Sequence, residues 1–556
     1  MAVQAVQWAG KPHVKGSTES MRMFMLTFSV IGLQFAWGTE LTYCTPYLLS
    51  LGMSKSRMSL VWVAGPLSGL VIQPVVGMMS DKSRNKWGRR RPYMMVGTIA
   101  VAVCYLILGW AKEIVAYFIQ DAELRREYAI GLAVVTIYVL DFMINVAQST
   151  CKALIVDTLP IEKQQLGAAW VSRMAGIGHL LVYAIGSLDL NVFLGDWLGN
   201  TQFKKVCVIA ALAMALAQSV TAWAVQERVL VSDGNDIEKS LSILSLLTQI
   251  YSTILNVPDR IQAICWVQFW SWIGWFPVLF YGSTWVGEIY LRFEAPATEQ
   301  QAKNALDEVG QRGSKALVVF SIVATAASIV LPWFIQSPDD NEKPSYTARP
   351  PQKLEPVLNK VKWRKPTLLK AWTVGNLLFA SALIFAPLVK SVWFATLLMA
   401  SIGIPNAIAG LAPATFLGVE VNRISMGIPL SNSRSSSGRK SDSSIELDSM
   451  NSPHRTLHLR HDSTGSAPNS STGELSGIYL GILNIYTTLP QFVGTAISWV
   501  VFSILEPGKS PELAKDAHPD EHHSTEGLSG IGVCLFIGGL SAVVAAWATR
   551  RLRGSY

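Results

Sequence analysis

The chain has 556 residues, of which 50% are hydrophobic, 10% aromatic and only 15% charged, with a mean hydropathy of +0.32. So little polar side chain cannot coat a water-soluble globule of this size, and the composition calls for an integral membrane protein. The formal charge of +8 would suit nucleic acid on a soluble protein, but the basic residues fall in loops between apolar runs rather than on one solvated face, which argues against a nucleic-acid partner.

An N-terminal tail, residues 1–22, has no apolar core of signal-peptide type, so the first span is expected to act as an uncleaved insertion signal. Apolar segments of about 20 residues, each long enough to cross a bilayer as a helix, then recur near 23–50, 58–80, 93–111, 129–156, 166–188, 205–225, 261–283, 315–336, 367–389, 392–419, 476–504 and 527–549. The expected fold is therefore an all-α membrane protein with twelve transmembrane helices, both termini on one side. Between the second and third spans, Lys82, Arg84, Lys86, Arg89, Arg90 and Arg91 crowd one short loop with Asp81, which by the positive-inside bias places that side in the cytoplasm. The tail 550–556, with Arg550, Arg551 and Arg553, agrees, and the acid-rich loop from Glu506 to Glu526 suits the outside.

A polar linker, 227–260, separates a bundle at 23–226 from one at 261–549, and QFAW at Gln34–Trp37 is echoed by QFWSW at Gln268–Trp272. Two pseudo-symmetric six-helix bundles are the layout of the major-facilitator fold, whose ligand sites lie near the midplane between the halves. The segment 425–475 is Ser-rich and poor in apolar residues, so it is expected to be a disordered cytoplasmic insert. It reads either as a tolerated linker or as a regulatory loop for kinases, each phosphate adding about −2 charges beside its arginines. Gly65, Pro66, Pro74, Gly403, Pro405, Gly410 and Pro413 mark places inside spans where helices can bend around a cavity.

None of the six cysteines forms a CxxC pair, and GxxxxGK[ST] is absent. No disulfide framework, metal site, cofactor or ATP-driven pump is expected, nor an enzyme. The informative residues are those ionisable within apolar spans, since a charge at mid-bilayer costs at least about 3 kcal/mol and is retained where it pairs, meets water or works. In the fourth span Asp141, Asn145, Gln148 and Lys152 step by four, three and four, which places them on one helical stripe that cannot face lipid. Eleven residues separate the two charges, about 16 Å along the axis, so neither neutralises the other. Asp141 then finds a partner elsewhere or takes up a proton, as low dielectric favours the protonated acid. An acid pinned in a fixed hydrogen-bond network is the alternative reading. Lys152 with Asp157 reads equally as local charge balance.

Glu40, in FAWGTELTYCTPY, is the second intramembrane acid. Around it Gln34 and Trp37 supply amide and aromatic groups, the combination a sugar requires: flat faces to stack on and polar groups that satisfy hydroxyls in a dry site. Trp272, within WVQFWSWIGWFP, reads either as packing against the neighbouring half or as a further sugar platform. His179 in the fifth span reads mainly as a satisfied buried histidine.

The residues Gly77–Asp81 with GRRRP at Gly88–Pro92, and the motifs QFAWGTELTYCTPYL, DFMINVAQSTCKALIVD and WIGWFPVLFYGSTWVG, resemble those of sucrose–proton symporters of the glycoside-pentoside-hexuronide:cation group, most of all the fungal-type general α-glucoside permeases. The resemblance implies that Asp141 accepts the coupling proton. It also implies that a basic residue eleven positions later, usually Arg and here Lys152, engages the sugar, and that Asp81 with Arg89, Arg90 and Arg91 latches the cytoplasmic ends of the halves when the site faces outward. Lys keeps the charge and loses the planar fork. The expectation is proton-coupled symport of a disaccharide (sucrose, maltose or a related α-glucoside), in the plasma membrane or else the vacuolar membrane. Gln34, Trp37, Glu40, Asn145, Gln148, Lys152 and Trp272 would hold the sugar. A non-transporting sugar sensor and an uncoupled facilitator are the competing expectations.

Overall fold

The computed structural model describes residues 7–10, 12–160, 163–232, 257–295, 305–335, 366–425, 472–514, 522 and 527–552. The Ser-rich insert and most of the linker expected at 227–260 lie outside the described residues. Among the described residues, eleven helical segments are long and apolar enough to cross a membrane.

The expected span at 23–50 is not among those eleven; it is made of α1 (Glu19–Thr27), α2 (Ser29–Thr39), a π-helical turn at Glu40–Cys44, and α3 (Thr45–Ser50). Thr18 caps α1 through Met21 N–H. At the first break the chain leans on a neighbouring helix: Ser29 N–H donates to Thr221 Oγ1 at 3.0 Å, and Gln218 Nε2 donates to the Ser29 carbonyl at 3.2 Å. Interior polar side chains thus satisfy backbone groups that lipid could not. The π turn inserts an extra residue per turn and rotates everything after it, a device common at functional sites.

The rest of the first half comprises α4 (Lys55–Val61), α5 (Ala64–Asp81), α6 (Arg91–Gly109), α7 (Ala122–Thr158), α8 (Gln164–Ser187) and α9 (Gln202–Ala224). The second half comprises α10 (Asp259–Ile289), α11 (Ala305–Phe334), α12 (Leu368–Ile384), α13 (Val392–Ser425), α14 (Thr472–Leu505) and α15 (Gly530–Ala548). Prolines 74, 405 and 413 are carried inside helices that continue past them.

Each half packs mainly on itself, α6 on α7 and α9, α10 on α15 and α14, and α11 on α13. Across the halves α8 meets α11, α4 and α5 meet α14, and the π turn at 40–44 meets α10. Backbones approach closely where glycine allows: a Cβ built on Gly274 would lie 2.7 Å from the Gly538 carbonyl oxygen, so α10 and α15 touch through their main chains. Four short strands accompany the all-α bundle. β1 (Gln7–Ala9) pairs antiparallel with β4 (Val229–Ser232), and β2 (His13–Val14) with β3 (Val225–Gln226). They stitch the N-terminal tail to the chain leaving α9, a long-range pairing of short segments that no local periodicity announces.

Candidate functional site

Asp121 begins α7, accepting from Glu123 and Leu124 N–H at 2.9 and 3.2 Å, and the helix runs unbroken through the predicted stripe. Asp141 is wholly buried, and neither carboxyl oxygen accepts a hydrogen bond from any donor among the described residues. It does not face lipid. A Cβ built on Gly65 would lie 3.8 Å from Asp141 Oδ1 and 3.6 Å from the Phe280 ring, which puts the acid where α5, α7 and the second half's α10 converge. Thr45 reinforces that junction by donating to the Phe280 carbonyl at 2.9 Å.

Glu40 opens the π turn and is equally buried, its carboxyl likewise without a donor. Its side chain lies within hydrogen-bonding reach of Asp141. Asn145, one turn along, donates to Ser68 Oγ at 2.8 Å and to the Asp141 carbonyl at 3.0 Å, and accepts from Gln73 Nε2 at 3.0 Å. Its amide is therefore committed to the interior of the first half. Gln148 is half-buried and Lys152 exposed, so side-chain exposure along the stripe grows from nothing at Asp141 toward the end that carries the basic loop. Gln34 packs on Gly178 of α8, whose added Cβ would meet Gln34 Cβ at 2.8 Å. Trp37 and Trp272 are partly buried against the main core, and the His179 ring lies parallel to Tyr183 at 5.7 Å.

The opposite end is sealed. Tyr43 of the π turn donates to the Gly186 carbonyl at 2.8 Å, and a Cβ on Gly310 of α11 would collide with its ring. Ser283 of α10 donates to the Thr42 carbonyl at 3.1 Å. Beyond them Lys55, fully buried at the start of α4, inserts between second-half acids, 2.7 Å from Glu288 and 2.9 Å from Glu506. Arg292 completes the cluster against Glu506 at 3.1 Å and Glu512 at 2.6 Å. None of these pairs was singled out from sequence. Each residue alone reads as an ordinary interfacial charge, and 233 residues separate Lys55 from Glu288.

Burial opposes the ionised form of Glu512, but Lys55 and Arg292 outweigh it and hold the carboxyl below the usual glutamate range. A depressed acid stabilises the fold above its unfolded pKa, near 4.3, and that contribution fades as pH falls through the folded value. Glu512→Gln should accordingly lower the melting temperature of the solubilised protein at pH 6, and the difference from the parent should shrink steadily as the pH of the melt is lowered into the acid range.

Residues 25–271 match the family described as MFS/sugar transport protein. The chain is 27% identical to the general alpha-glucoside permease of Schizosaccharomyces pombe over 96% of this chain and 94% of that one. It is 30% identical to a sucrose transport protein of Arabidopsis thaliana over 49% of this chain and 56% of that one. Among solved structures it resembles a D-xylose-proton symporter, with a TM-score of 0.52 at 13% identity covering 95% of this chain and 96% of the other. It also resembles a POT family transporter, with a TM-score of 0.54 at 11% identity and 96% of each chain covered. The chain has the major-facilitator fold.

In this chain the basic loop is organised within the first half. Arg90 engages Asp81, Ser80 and Asp157, the last at 2.9 Å, and Arg89 reaches Asp157 at 2.7 Å and Asp81 at 3.7 Å. Asp157 thus meets the arginines rather than balancing Lys152. Arg91 departs from the expected trio: it donates to the Ala222 carbonyl at 3.1 Å and lies 3.5 Å from Glu227. Glu227, unremarked in the sequence, accepts the backbone N–H groups of Arg89, Arg90 and Arg91 at 3.0, 2.9 and 2.8 Å. A carboxylate at the N-terminus of α6 meets the unpaired donors and the positive end of the helix dipole. Because it follows α9, 138 residues from Arg89, it ties the start of the linker to the loop.

Proposed function

We propose that this chain is a sugar transporter that couples inward movement of a proton to uptake of an α-glucoside such as sucrose or maltose, with the basic-loop end in the cytoplasm of a plasma-membrane protein. What carries the reading is Asp141: an acid with no cation and no donor among the described residues, held where the two halves meet, at the head of a polar stripe that becomes exposed toward one end. An acid so placed binds a proton when the halves close around sugar and sheds it when water arrives. The sealed cluster around Lys55 and the exposure of Lys152 support a state that faces inward. The latch of Asp81 with Arg89, Arg90 and Arg91 would act in the outward-facing state, drawing the second half onto a loop already braced by Asp157 and Glu227.

Lys152, reached by solvent, is the cation placed to meet sugar hydroxyls, with Gln148, Trp37 and Trp272 completing the site. One proton moving in at about −150 mV supplies about 3.5 kcal/mol. By the tenfold-per-1.4 kcal/mol rule this sustains a few-hundred-fold accumulation. In cells lacking their own disaccharide carriers, adding sucrose or maltose to a weakly buffered medium should alkalinise it in step with uptake. Uptake with no alkalinisation would show facilitation instead. Sugar binding without flux in proteoliposomes would show a sensor.

A further inference from the structure

We infer that Glu40 and Asp141 form one proton-binding unit, so that the coupling proton rides on a carboxyl pair and Glu40 is a proton-positioning residue rather than a sugar ligand. The inference rests on the proton-coupled reading above and deepens it.

Both side chains are wholly buried, and all four of their carboxyl oxygens lack a donor from the described residues. The two groups nevertheless face each other within hydrogen-bonding reach. Two ionised carboxylates are acceptors only and repel, so a buried pair in this arrangement is held together when one partner carries a proton and donates it to the other. The titratable groups that feel the pair are Cys44 on the π turn, Tyr105 on α6 and Tyr138 on α7, and a thiol and two phenols are neutral at physiological pH. From the second half the neighbour is Phe280. No described lysine, arginine or histidine acts on either carboxyl, so nothing but a proton offsets the second negative charge.

Local geometry assigns the roles. Glu40 lies at the turn where α2 gives way to the π segment. Asp141 is the member that continues into the stripe, since its own carbonyl accepts from Asn145, which is linked in turn to Ser68 and Gln73. Glu40 is the inner partner with no such continuation, and it can hold a proton against which Asp141 cycles. A sugar hydroxyl has no opening to Glu40 in this state.

The test is Glu40→Gln, expressed beside the parent and Asp141→Asn, with two readings: accumulation against an acid-outside gradient, and counterflow of labelled sugar in proteoliposomes at equal pH. If the pair is the proton site, Glu40→Gln should drop accumulation from about a hundredfold to near unity while counterflow stays within about twofold. The double variant should then lose no more than either single one, as expected of residues that act as a unit. If Glu40 binds sugar, counterflow falls and its half-saturating concentration rises with coupling intact, and the inference is overturned. Full accumulation by Glu40→Gln also overturns it. Should Glu40→Gln fail to reach the membrane, Glu40→Asp separates the same cases: weakened coupling with normal counterflow supports the pair, and the reverse refutes it. A parent that never accumulates sugar against a gradient sinks the proton-coupled reading itself, whatever the variants do.

Discussion

Asp141→Asn should abolish uphill sugar accumulation and leave equilibrium exchange largely in place. The amide matches the carboxyl in size, so the wholly buried site keeps its packing, and the change removes the one property an amide lacks, reversible proton binding. The expected loss is the whole driving force of the gradient, about two orders of magnitude in accumulation ratio under a potential of about −150 mV. Alkalinisation on sugar addition should disappear with it. Undiminished accumulation by the variant, measured at matched surface expression, would falsify the assignment of Asp141 to the proton.

The second large effect concerns the sealed end. Lys55 is the first half's cation in a buried cluster whose acids, Glu288, Glu506 and Glu512, all belong to the second half. With Lys55→Met, Arg292 alone faces three acids across a junction that excludes water. Removing one member of a buried ion pair typically costs about 3–5 kcal/mol because the remaining charge is stranded. That cost falls on the closed arrangement only, since opening lets water reach the acids, and a bias of this size moves a two-state population by two to three orders of magnitude. Lys55→Met should therefore favour the conformation open at this end and slow net transport. A cysteine placed at Ser314, beside Gly186 in the seal, should become reactive to an impermeant thiol reagent in the Lys55→Met background and stay protected in the parent. Equal protection in both would mean that the seal rests on Tyr43, Gly186 and Gly310 and not on the ion cluster.

The candidate site was partly legible in the chain because helical spacing is local. Asp141, Asn145, Gln148 and Lys152 had to share a face of any α-helix, and the fold places α7 there without interruption. The spans were legible for the same reason, apart from the first. Its run from residue 23 to 50 looks continuous by hydropathy, and polar residues of α9 meet the backbone at the break. The roles within the stripe were not legible. Asn145 spaces as well as Gln148 for a ligand, yet its amide is occupied by Ser68 and Gln73 of α5.

Apolar runs of bilayer length separated by charged loops specify on their own that this chain crosses a membrane many times, because hydrocarbon tolerates neither bare backbone nor unpaired charge. Periodicity along α7 likewise puts an acid and a lysine on one protein-facing stripe. Only the tertiary structure sets Glu40 against Asp141, Lys55 among acids of the other half, and Glu227 over the first turn of α6. Each joins positions more than a hundred residues apart. Such meetings depend on how helices pack and where one of them widens into a π turn, and no local pattern of residues encodes that.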